Sequence, residues 1–113
     1  MDTAHWHERL LTGPDAPDWS PLERALVEAL LARPGVAVDQ FVLMDAMWTK
    51  RNLNAPEAAE QVIRECVRRI RRKLRAANLN PAALVNDPPR AYGLSLDALT
   101  LAPVTRPRYV LVC

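Results

Sequence analysis

Between residues 62 and 75 the chain makes two demands that a single amphipathic helix meets together. Val62, Ile63, Cys66, Val67, Ile70 and Leu74 recur at intervals of one, three or four residues. At helical spacing they form one apolar stripe spanning about 140° of the circumference. Arg64, Arg68, Arg72 and Arg75 point the other way, with Gln61 and Glu65 on the same outer face. Arg69 and Arg71 flank the stripe, one on each side. Seven of the 15 Lys and Arg residues, Lys73 among them, lie between Arg64 and Arg75, and Glu65 is the only acid there. The formal net charge of +2 therefore conceals a basic helix on an otherwise acidic chain.

Two further helices are expected upstream. In Ser20-Pro21-Leu22-Glu23 the serine can cap, the proline suits the first helical position, and Glu23 can return to the cap amide. Leu22, Ala25, Leu26, Ala29 and Leu30 follow at helical spacing, and Arg33-Pro34-Gly35 stops the run, giving a helix over about 20–33. Val36-Ala37-Val38 is an extended link. Asp39 can cap a second helix over about 40–49, with Phe41, Met44 and Trp48, and Leu43 and Met47 beside them, on its apolar face. The basic helix is expected over about 56–77.

The period then changes. Leu84-Val85-Asn86 and Ala91-Tyr92-Gly93-Leu94 read as two short strands about an Asp87-Pro88-Pro89-Arg90 turn. Leu99-Thr100-Leu101 and Tyr109-Val110-Leu111-Val112 read as two more. Upstream, residues 1–18 form an arm in which Trp6, Leu10 and Leu11 suit one short helix or strand. The expected division is an arm over 1–18, a domain over 19–96, and a β-like tail over 97–113 that packs on the domain or on a partner.

A helix fits the B-DNA major groove, and the arginine fork matches both guanine acceptors and phosphates. The basic helix has the apolar face needed to anchor it and the basic face needed to reach out. A short helix precedes it, as in helix-turn-helix proteins, and a hairpin with Arg90 at its tip follows. The rival reading is a protein-interaction module whose basic helix docks on an acidic partner such as RNA polymerase or another regulator. RNA is disfavoured because no aromatics interleave with the arginines for stacking on bases.

The ordered set Ser20-Pro21-Leu22-Glu23, Pro34-Gly35-Val36-Ala37-Val38, Ala46-Met47-Trp48, Val67-Arg68-Arg69-Ile70-Arg71-Arg72-Lys73-Leu74, Leu84-Val85 and Ala91-Tyr92-Gly93-Leu94 resembles the winged-helix DNA-binding domain of OmpR/PhoB-type response regulators. The resemblance runs from about Trp19 to Leu96. It implies an α+β fold, mainly α with a small β component: a three-helix winged helix-turn-helix with a C-terminal β-hairpin wing. It implies sequence-specific duplex DNA binding in transcription regulation by a bacterial or phage protein. Arg64, Arg68, Arg69, Arg71 and Arg72 are then DNA-contact candidates, joined by Gln61 and Arg75 of the outer face and by Arg90 of the wing. Thr49, Lys50, Arg51 and Asn52 belong to a loop that faces RNA polymerase in the family, and pairing of two copies on DNA is also implied.

The chain departs from that pattern. No receiver domain is expected with it, the family's four-stranded sheet is not expected within residues 1–18, and the wing tip is proline-rich instead of glycine-rich. The tail is expected to replace the missing sheet or to pair with a second copy.

Other chemistry is not expected. His5 and His7 have a spacing unsuited to zinc, so no metal site is expected. Cys66 falls on the apolar stripe and Cys113 ends the chain, so both read as reduced thiols. Three scattered glycines make no phosphate loop, and neither catalysis, a cofactor nor a small-molecule substrate is expected. Apolar runs are too short for a membrane span, and the start lacks a secretory pattern, so a cytoplasmic protein is expected. Trp48 and Trp19 are assigned to the core. Trp6 has no evident place and is a candidate interface residue if exposed.

Overall fold

Ser20 begins the central helix as its sequence predicts. Its hydroxyl accepts from the Glu23 amide, and the Glu23 carboxylate accepts from the Ser20 amide, closing a capping box ahead of Pro21. The computed structural model describes residues 3–88 and 90–101. Its elements are α1 (Thr3–His7), α2 (Pro21–Leu31), β1 (Val38–Asp39), α3 (Gln40–Met47), α4 (Ala59–Ala76), β2 (Leu84–Asp87), β3 (Ala91–Leu94) and α5 (Leu96–Leu99). Asp39 caps α3 by accepting from the Phe41 amide at 2.8 Å. The three predicted helices are present, and the β-hairpin wing follows α4. The fold is a winged helix: mainly α with a three-stranded antiparallel sheet.

The sheet order is β1-β3-β2. β3 pairs with β2 through Leu84↔Leu94 to Asp87↔Ala91, and with β1 through Val38↔Tyr92 and Asp39↔Ala91. The link read as merely extended thus becomes the third strand and ties the wing to the helices. Gly35 permits this return, since its φ of +76° is a conformation that side chains disfavour. Its amide donates to the Leu94 carbonyl at 2.8 Å.

One core serves all the described elements. Leu26 and Leu30 of α2, Leu43 and Met47 of α3, and Ile63, Ile70 and Leu74 of α4 are buried together with Leu84 and Leu94 of the wing. α4 begins three residues later than expected, because Pro56 to Ala59 forms a separate turn with the Ala59 amide donating to the Pro56 carbonyl. It ends in a Schellman motif. Asn78 takes the left-handed conformation, its amide donates to the Arg75 carbonyl, and the Leu79 amide donates to the Leu74 carbonyl.

Three expectations are corrected. Phe41 is not on the buried face of α3: it is exposed, and Leu43 and Met47 enter the core instead. Leu99 is not in a strand: Ser95 accepts from the Ala98 amide, starts α5, and brings Leu96 and Leu99 into the core. Local capping at a serine prevails here over the β-like look of Leu99-Thr100-Leu101. The other tail segment, 109–112, lies outside the described residues. Trp6 is not an exposed interface residue; it is 4% exposed and shares the core with Leu10 and Leu11.

The arm carrying those residues is helical. α1 continues into one π-helical turn, Glu8–Thr12, which closes with the Gly13 amide on the Glu8 carbonyl at 2.6 Å. A side chain at Gly13 would meet that carbonyl at 2.7 Å, so only glycine fits. Side chains of the body hold the turn: Trp19 Nε1 donates to Leu10 and Arg24 Nη1 to Leu11. Arg9 Nη2 in turn donates to the Ala77 carbonyl at the end of α4.

Candidate nucleic-acid interface

The helical period distributes the arginines of α4 unequally about its apolar stripe. Arg64, Arg68, Arg71, Arg72 and Arg75 occupy about 100° of the circumference, all on the side facing the wing. Together with Val67 of α4 and Asn86 and Tyr92 of the wing, they line an open groove between helix and hairpin. Asn86 was not singled out from the sequence. Strand alternation puts its side chain on the same face as Leu84, and the pairing of β2 with β3 sets it opposite Tyr92.

The five arginines are held differently. Arg64 lies 3.5 Å from Glu60 and Arg68 lies 3.0 Å from Glu65; all four side chains are largely in solvent. Such exposed pairs add little stability, so they leave these guanidinium groups available to a stronger anion. Arg71 is half-buried, and its Nε and Nη2 both donate to the Leu84 carbonyl, at 3.2 and 2.7 Å. Arg72 and Arg75 are exposed and have no carboxylate within ion-pair distance among the described residues.

Arg69 is separated from this group. It is exposed on the opposite side of the apolar stripe, where the same face carries Lys73 toward α2. Gln61 is exposed near the start of α4, on the outer face. Arg90 is exposed at the wing tip, and its carbonyl accepts from the Gln40 amide at 2.8 Å, fixing the tip against the start of α3.

Thr49, Lys50 and Arg51 form a 3₁₀ turn ending at Asn52, whose φ is +59°. All four are exposed and none lines the arginine groove. Lys50 and Arg51 border a different groove, between α2 and α3. Arg51 also donates to the Met47 carbonyl at 3.0 Å, closing the end of α3.

On the inner face of α4, Cys66 is 1% exposed. Burial, then the nearby Glu23 charge, pushes its thiol up, while Arg69 opposes both. A thiol held in that state is a poor nucleophile. Among the described residues no cluster of three or more His, Cys, Asp or Glu is placed to hold a metal ion. No described helix is long and apolar enough to cross a membrane.

The family described as "Transcriptional regulatory protein, C terminal" matches residues 15–94. The chain belongs to that family. Its members carry the OmpR/PhoB-type effector domain, a winged helix-turn-helix that binds DNA in transcription regulation, and the family is one of regulatory domains, not of enzymes. The match contains α2, α3, α4 and the whole wing, hence every residue of the arginine groove. It starts after the helical arm, whose Trp6, Leu10 and Leu11 are nevertheless core residues. Comparison with curated proteins and with solved structures gave no match.

Proposed function

We propose that the chain binds duplex DNA sequence-specifically, with α4 in the major groove and Arg90 of the wing on the flanking phosphate or minor groove. The observation that carries this reading is the one-sided placement of Arg64, Arg68, Arg72 and Arg75 beside the wing. A helix inserted along that face brings several guanidinium groups to one duplex at once. Arg64, Arg68 and Gln61, on the N-terminal half of α4, are assigned to base edges, since recognition helices read bases from that end. Arg72, Arg75 and Arg90 are assigned to phosphates, which fix register without reading sequence. The exposed turn at Thr49–Asn52 is the surface offered to RNA polymerase, and two copies pair on tandem sites.

The test is a fluorescence-anisotropy titration with duplex DNA at two salt concentrations. Each phosphate neutralised contributes about −0.9 to the slope of log K against log salt. The expected result is a steep slope with random duplex and recovery of preferred sequences on selection. Absence of binding at low salt refutes the reading and favours an acidic protein partner for the basic helix.

A further inference from the structure

Arg71 lies on the groove, yet its guanidinium is already engaged with the protein. We infer that it is a positioning residue, which sets the wing against α4 so that helix and wing meet one duplex together. This inference rests on the DNA-binding reading and gives Arg71 a different role from its four groove neighbours.

The hydrogen bonding of the hairpin shows why the contact matters. The Ser95 amide donates to the Ala83 carbonyl, so that pair is of the hydrogen-bonded kind. Alternation along an antiparallel ladder then gives Val85–Gly93 and Asp87–Ala91 the inward bonds. Leu84 and Asn86 turn their backbone groups outward, to the open edge of β2. Leu84 is 1% exposed, so its carbonyl is out of reach of bulk water. Arg71 Nε and Nη2 both reach that carbonyl from α4. The other edge of the hairpin is held by β1 and by the Gln40 amide on the Arg90 carbonyl. The wing is therefore clasped at both edges, and Arg71 is the clasp that sets its distance from the recognition helix. A lysine keeps the charge but loses the planar fork that makes both bonds.

The experiment compares wild type with Arg71→Ala and Arg71→Lys, all checked for folding by melting. Amide hydrogen exchange of the DNA-free proteins is read in β2 and β3 against α2. Affinity for duplex DNA and its salt slope are read in the same set. The expected result is faster exchange in the hairpin with α2 unchanged, in both variants. Affinity falls about tenfold in both. The slope of Arg71→Lys becomes shallower by about 0.9 or more although no charge is removed, because wing contacts to phosphate are lost. Wild-type slope in Arg71→Lys, or unchanged exchange in the hairpin, overturns the inference. If wild type binds no duplex, the DNA reading fails by itself, and the exchange comparison still decides whether Arg71 holds the wing.

Discussion

Lys73 of α4 donates to the carboxylate of Glu23 on α2, and its ammonium also lies 5.9 Å from the centroid of the Trp19 ring. Glu23 is 2% exposed and belongs to the capping box of α2 as well. One carboxylate thus joins the start of α2 to α4. The same lysine donates to the Asp18 carbonyl at 2.6 Å, which draws the link before α2 into the junction.

Burial alone would push the Glu23 carboxyl up. The hydrogen bonds from Lys73 and Ser20, with the Lys73 charge, outweigh it and hold the group below its ordinary value. A carboxylate depressed on folding stabilises fully above its unfolded value, about 4.3 for glutamate. That contribution is lost as pH falls through the lower folded value. Glu23→Gln is expected to cost about 1–3 kcal/mol at neutral pH. Lys73 keeps partial access to solvent, which places the cost below that of a fully buried orphaned charge. The check is thermal melting at neutral and at strongly acid pH. The gap between wild type and variant narrows under acid, and a gap that is constant with pH contradicts the assignment.

Arg68 and Arg69 are neighbours in sequence but lie about 100° apart on α4, Arg68 on the outer face and Arg69 at one edge of the apolar stripe. Arg68 lines the groove and Arg69 does not. Arg68→Ala is expected to weaken specific binding by about 1–3 kcal/mol, the worth of a good base contact. Arg69→Ala is expected to change it by no more than about 0.5 kcal/mol. Titration of both variants against one selected sequence separates them. Equal losses would place the duplex across the outer surface of α4 and not along the side toward the wing.

The helices and the wing were legible in the sequence because local signals and the hydrophobic period agreed there. The Ser20 capping box, the Asp39 cap and the stripe from Ile63 to Leu74 each name an element without help from the rest of the chain. The division of the arginines was less legible. Helical period places Arg69 and Arg71 on the two flanks, but it does not say which flank the wing occupies. That depends on the β1–β3 pairing, a contact between residues more than 50 positions apart. The arm was illegible for a related reason. Trp6, Leu10 and Leu11 show too short a pattern to declare a helix, and their burial depends on bonds from Trp19, Arg24 and Arg9.

Glu65 is the one acid between Arg64 and Arg75, and it accepts from Arg68 at 3.0 Å. The pair is exposed, so breaking it has little effect on stability. Its effect on binding is larger in kind, because the carboxylate must part from Arg68 and lies close to any phosphate on that face. Glu65→Gln is expected to tighten binding to random duplex by about 0.5 kcal/mol. Affinity for a preferred site rises less, so discrimination falls. Competition between selected and random duplex measures the ratio directly, and an unchanged ratio would show that Glu65 has no part in discrimination.

Trp6 stands outside the family match, yet it is as buried as the residues within it. Its helix is attached through the Trp19 bond to Leu10, the Arg24 bond to Leu11 and the Arg9 bond to Ala77, the last at the C-terminal end of α4. The arm therefore closes the core without bordering the arginine groove. Trp6→Ala is expected to destabilise by about 3–5 kcal/mol, the cost of emptying a large buried site. In a domain of this size the melting temperature falls by on the order of 10–20 °C or more. Measured well below that melting point, with the folded fraction fixed by titration to saturation, DNA affinity and salt slope are expected to equal those of wild type. A shallower slope in the folded variant would mean that the arm, through Arg9 and the end of α4, also sets the angle of α4.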